Sequence, residues 1–145
     1  MAGFPDVQEA AILDHYFGGT ALAAPTATHK IDLLTTQPSD DAGTGLVKAS
    51  WTGYVQGSFT NNATTWPAAT GADPSLKSNG IAMGFAQRSQ VGSDTVTGFV
   101  IYKLDGTTIV FVGTVTPNAA VSQNDTPEFA IGDLDLKLGD PGDSY

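Results

Sequence analysis

Asp105-Gly106 separates two runs that carry most of the chain's β-forming residues. Residues 95–104 hold Val96, Phe99, Val100, Ile101 and Tyr102, and residues 107–115 hold Ile109, Val110, Phe111, Val112 and Val115. Branched and aromatic side chains fit a pleated, half-buried surface. An Asp-Gly pair between two such runs is a strong signal for a tight hairpin of type I′, whose central residues both take positive φ. A chain organised around that hairpin is a sheet protein, and the rest of the sequence must supply partners for its two arms.

The remaining segments read accordingly. Residues 28–35, with Ile31, Leu33 and Leu34, form a strand. Residues 46–56 place Val47, Ala49 and Trp51 on one face by alternation. Residues 80–87 turn Ile81, Met83 and Phe85 inward. Residues 128–138 make a last strand with Phe129, Ile131, Leu134, Leu136 and Leu138 inward, and Asp133 and Asp135 in solvent. Residues 38–45 are a loop by composition, and residues 61–79 are an excursion with at most one short strand. One helix is expected, over residues 5–17. Pro5 suits its first turn, Asp6 and Glu9 suit the positive end of its dipole, and Gly18-Gly19 supplies a left-handed stop. The expected fold is mainly β: a β-sandwich or jelly-roll-like domain over residues 18–138, with an N-terminal helix and a 139–145 tail. The 145 residues suit a single domain, and no internal repeat divides them.

Composition excludes several classes of function. With no cysteine, disulfides, thiolate metal sites and cysteine catalysis are ruled out. Fifteen acidic residues against six basic ones give a net charge of −9, opposite to what DNA, RNA or anionic lipid requires. No apolar run is long enough to span a bilayer, and residues 1–5 do not read as a secretion signal.

Catalytic patterns are missing as well. His15 and His29 stand far apart, and neither belongs to a ligand set for zinc. There is no Gly-x-Ser-x-Gly elbow. Gly43-Thr44-Gly45 lacks the lysine of a phosphate loop. The acidic stretch from Asp125 to Asp143 lacks the organised loop that calcium favours, so a solvated face is the better reading. We expect no enzyme, no cofactor and no metal. Three aromatic residues are instead the candidates for contact with partners. Phe4 precedes the helix without amphipathic context, Tyr145 ends the chain, and Trp66 precedes proline in a loop, where it would be an exposed platform.

Residues 11–21, Ala-Ile-Leu-Asp-His-Tyr-Phe-Gly-Gly-Thr-Ala, resemble the opening helix of a family of short tailed-bacteriophage virion proteins. Residues 29–43 resemble that family's following strand and its Asp/Gly-rich loop, and residues 125–138 its closing strand. The segment Trp51-Thr52-Gly53-Tyr54 departs from the family pattern, which tends to carry an arginine there. Members are head-decoration, minor-tail or tail-fibre proteins, so the resemblance implies a virion component assembled in the host cytoplasm. Its implied partners are the major capsid protein or tail proteins, and further copies of itself. The leading expectation is a capsid decoration (cement) protein on the outside of the head. The alternatives are a tail or tail-fibre accessory protein and a host-surface glycan-binding module using Trp66 and Tyr54.

Overall fold

The computed structural model describes residues 4–40, 42–71 and 75–138. Among the described residues one helix, α1 (Asp6–Phe17), precedes nine strands: β1 (Thr28–Thr36), β2 (Val47–Lys48), β3 (Gly57–Thr60), β4 (Ser75–Ser78), β5 (Met83–Gly84), β6 (Ser93–Tyr102), β7 (Ile109–Ser122), β8 (Glu128–Phe129) and β9 (Asp135–Leu138). All pairings are antiparallel. β1 and β6 form the centre of a five-stranded sheet with β7 at one edge, and β2 and β3 both pair with the outer side of β1. The pairs β4–β9 and β5–β8 make two small sheets. The protein is thus mainly β with an N-terminal helix, as expected, and its layers are sandwich-like.

Alternation along β1 and β6 divides the core. Ile31 and Leu33 lie opposite Ile101 and Phe99 in register, and these four join Phe111, Val96 and Val121 on one face of the large sheet. Met83, Phe85 and Leu134 from the small sheets and their turns cover that face. Leu34, Val100, Tyr102 and Val112 point to the opposite face, where Leu46 and Ile109 pack on them. Each such side chain contributes about 1.5–3 kcal/mol on full burial, so the sheet is held from both sides.

β2 pairs with β1 at Leu34 and Thr36, whereas β3 pairs with residues 28–31, which leaves the backbone of Leu33 between them. A buried amide or carbonyl without a partner is costly. Ala49 N–H donates to the Leu33 carbonyl at 2.8 Å, and Leu33 N–H donates to the Tyr54 hydroxyl at 2.8 Å. The expected strand over 46–56 is therefore only two residues long. Gly53, at φ +93°, turns the chain so that Tyr54 can fill the gap in the ladder. Ala49 and Trp51 are buried as expected, but Val47 faces solvent.

Four further expectations are corrected. The hairpin exists, but its connection is wider than two residues: Lys103 N–H donates to Thr108 O, and Gly106 N–H to Lys103 O. Gly106 takes positive φ and Asp105 does not. The Asp105 carboxylate accepts from the Thr108 hydroxyl and the amides of Thr108 and Thr107, which stabilises the wider turn. Those bonds, the Thr108 hydroxyl first, lower its pKa to about 2. Next, β7 runs past residue 115 to Ser122. Val96 pairs with Ala119 and Gly98 with Thr114, so the segment containing Pro117 bulges opposite Thr97. An outer strand tolerates proline because one side of it needs no ladder. Finally, the expected strand over 128–138 is broken by a turn with Gly132 at φ +84°, and Ile131 faces solvent. The strand expected over 80–87 is likewise short, reaching only Met83–Gly84, although Met83 and Phe85 are buried.

Candidate functional site

The most concentrated polar chemistry lies beside the gap in β1. Asp32 is only 2% exposed, and its carboxylate meets three donors. The Tyr54 hydroxyl donates to Oδ1 at 3.1 Å, Gln56 Nε2 donates to Oδ2 at 2.7 Å, and Lys48 Nζ lies 2.8 Å from Oδ2. Lys48 also sits over the Tyr102 ring, 4.3 Å from its centroid. Burial pushes the Tyr54 and Tyr102 hydroxyls above the ordinary phenol range. Burial pulls the Lys48 ammonium down, but its bonds to Asp32 and Tyr102 outweigh this and leave its pKa raised. Donors and acceptors here satisfy one another, which is the pattern of a network that fixes a fold.

Arg88 is a second buried charge. Its guanidinium donates to Asp94 and, at 3.2 Å from Nε, to the Gln90 carbonyl, with the Trp51 ring 5.5 Å away. Asn79 is a third buried polar group. It donates to the carbonyls of Ile81 and Ala130 at 2.8 Å each, and accepts from the amides of Gly132 at 3.1 Å and Leu134 at 2.9 Å.

The surface offers two unusual features. The first is α1. Ala11 and Ile12 are half-buried, as is Gln8, while the apolar Val7, Leu13, Tyr16 and Phe17 are exposed, Phe17 at 87%. No residue of the helix is fully buried. Residues 18–25 and 27, which follow it, are exposed too.

The second feature is a cleft of about 810 Å³ between β7 and the β8–β9 region. Phe99, Phe111 and Phe129 are among its apolar lining residues, and Glu9, Glu128, Asp133 and Asp135 bring carboxylates to it.

The three aromatic candidates fare differently. Phe4 packs edge-on against Phe111, with centroids 5.3 Å apart, so it is seated at the mouth of the chain's own core. Trp66 is not an exposed platform; it is 4% exposed and belongs to the main core, edge-on to His29. Asn62 explains this. Its side-chain oxygen accepts from the amides of Thr64 and Thr65, and its carbonyl accepts from Trp66 N–H, so a capped turn directs the indole inward. Tyr145 lies outside the described residues. Tyr54 is half-buried with its hydroxyl engaged, so Trp66 and Tyr54 do not form a stacking surface for a sugar. His15 and His29 are not brought together: His15 is exposed and bonded to the Thr20 carbonyl, and His29 is half-buried, with its pKa lowered by burial. Among the described residues no three histidines or acidic residues gather as a metal-binding group. The cleft and the unburied helix face were not found from sequence, although the apolar residues around α1 were visible there.

The structure is a sandwich-like β body with an unburied helix and an aromatic-lined cleft. The family model of the Podophage GP4 fiber I protein gp80 matches residues 3–137, nearly the whole chain. The chain belongs to that family, and it is a structural component of a short-tailed phage virion. Comparison with curated proteins finds no match.

Proposed function

We propose that this protein is a tail-fibre protein, with no catalytic activity and no cofactor, that works by holding other virion proteins. The observation that carries this reading is the match of residues 3–137 to a family described as a fibre protein. It favours the tail alternative over the capsid-decoration role that led the sequence reading. The geometry supports a contact function. Val7, Leu13, Tyr16 and Phe17 are exposed on α1, and apolar surface of this kind marks association sites. Asp32, Arg88 and Asn79 are each bonded within the fold, which suits a structural role for the buried polar groups. The partners are tail proteins and further copies of the same chain, and cyclic symmetry would suit the latter. The net charge of −9 supports partners that are neither nucleic acid nor anionic membrane.

Copy number tests the reading. Quantitative mass spectrometry of purified virions, scaled to the major capsid protein, should give tens of copies or fewer per particle. Hundreds of copies would return the protein to the capsid surface.

A further inference from the structure

We propose that the cleft along β7 is a docking groove for an extended segment of another protein, apolar at alternate positions and flanked by lysine or arginine. The backbone supplies the first argument. β7 is the outermost strand of the large sheet, and among the described residues no strand pairs with its other side. An open edge is a template for an added strand. The cleft takes in Leu33, Val96, Phe99, Phe111 and Val121 from one face of the sheet, and Gly113, Thr114, Val115 and Thr116 in succession where β7 enters its bulge. It lies over that face and extends to the β7 margin, where an extended segment can reach both backbone and floor.

The floor fixes the apolar half of the partner. Phe99 and Phe129 meet edge-on at 5.5 Å, and Phe111 already holds Phe4 edge-on at 5.3 Å. An aromatic side chain from an extended stretch therefore fits this wall, as Phe4 demonstrates. The volume of about 810 Å³ lies within the range of about 300–1,000 Å³ typical of pockets that engulf a ligand.

The rim fixes the charge. Four carboxylates, Glu9, Glu128, Asp133 and Asp135, border the cleft against one ammonium, Lys137. The net charge of −9 adds a long-range field of the same sign. A second copy of this chain is a poor occupant, because it brings the same acidic rim. Its exposed segment at residues 18–27 contains no lysine or arginine to answer that rim. That the partner is a tail protein rests on the fibre reading; the chemistry of the groove does not, and purified protein is enough to test it.

The test is fluorescence polarisation with labelled eight-residue peptides, Lys-Val-Lys-Phe-Lys-Val-Lys-Phe and the same sequence with glutamate for lysine. The basic peptide should bind at least tenfold more tightly. Ala119→Trp, which fills the cleft, and Glu128→Lys/Asp133→Lys, which reverses its rim, should each weaken binding about tenfold or more. Asp14→Lys, on the helix and away from the cleft, should change it less than twofold. Circular dichroism checks the variants; if Ala119→Trp fails to fold, the rim variant decides, since Glu128 and Asp133 are exposed. Absence of binding, equal binding of the two peptides, or equal losses from Asp14→Lys and the rim variant would each overturn the proposal. Self-association that Ala119→Trp abolishes would also overturn it, with a second copy as the occupant.

Discussion

Asp32→Ala should lower the unfolding free energy by about 3 kcal/mol, read as a shift of the urea midpoint with an unchanged slope. The carboxylate accepts from the Tyr54 hydroxyl and Gln56 Nε2, and it pairs with Lys48. Breaking a buried pair by deleting one member costs about 3–5 kcal/mol, because the surviving groups stay buried without partners. Lys48 is 40% exposed and can turn to water, which places the expected loss at the lower end. The Tyr54 hydroxyl has less freedom, since it also accepts from Leu33 N–H in the gap of the β1 ladder. Asp32→Asn keeps the shape and one acceptor, and should cost less. A loss below about 1 kcal/mol for alanine would mean that the network does not hold this edge of the sheet.

The same cluster sets the response to alkali. The Lys48 pKa is raised, so its contribution is complete below the unfolded value of 10.5 and is lost as pH climbs through the folded value. Tyr54 and Tyr102 are also raised above 10.0, so the unfolded chain releases their protons first and stability falls as pH rises past that value. All three groups act in one direction. Their combined effect is a stability that falls above about pH 10, with a urea midpoint lower at pH 11 than at pH 8.

Asn79→Ala should be comparably severe, at about 3 kcal/mol, again from urea titration. Its amide group and oxygen make four hydrogen bonds, to Ile81, Ala130, Gly132 and Leu134. Together they fasten the end of β4 to the turn that leads into β9. Alanine would strand the Ile81 carbonyl and the Leu134 amide, while Gly132 N–H keeps its bond to the Asn79 carbonyl and the Ala130 carbonyl keeps Asp133 N–H; each unsatisfied buried group costs about 1–3 kcal/mol before relaxation and water entry. Asn79→Asp should fail as well, since a carboxylate cannot donate to the carbonyls of Ile81 and Ala130. A midpoint within error of the parent protein for both variants would show that water replaces this side chain freely.

Neither Asp32 nor Asn79 stands out in the sequence. Asp32 sits between Ile31 and Leu33 as a polar residue on a strand would, and its partners come from residues 48, 54 and 56, beyond a loop. Local periodicity finds elements whose neighbours in sequence are also neighbours in space. It placed α1, β1 and the β6–β7 hairpin because each carries its own pattern. It overran at residues 46–56 and 128–138, where Gly53 and Gly132 turn a chain whose hydrophobic spacing still looks continuous. It stops at Val115 in β7, although the strand runs on to Ser122 because an outer strand can hold Pro117. A Trp-Pro pair among threonines and alanines looks like a loop tip, but the turn that buries Trp66 depends on the Asn62 side chain. The cleft has no local signature, since its walls come from Phe4, α1, β1, β6, β7, Phe85 and the β8–β9 region.

A tail location for this virion protein is a proposal that can be read on the particle itself. Gold-conjugated antibody against the purified protein, applied to intact particles and viewed by negative-stain electron microscopy, tests it most directly. The account predicts label on the tail or its fibres, with bare heads. Label distributed over the head surface would contradict it.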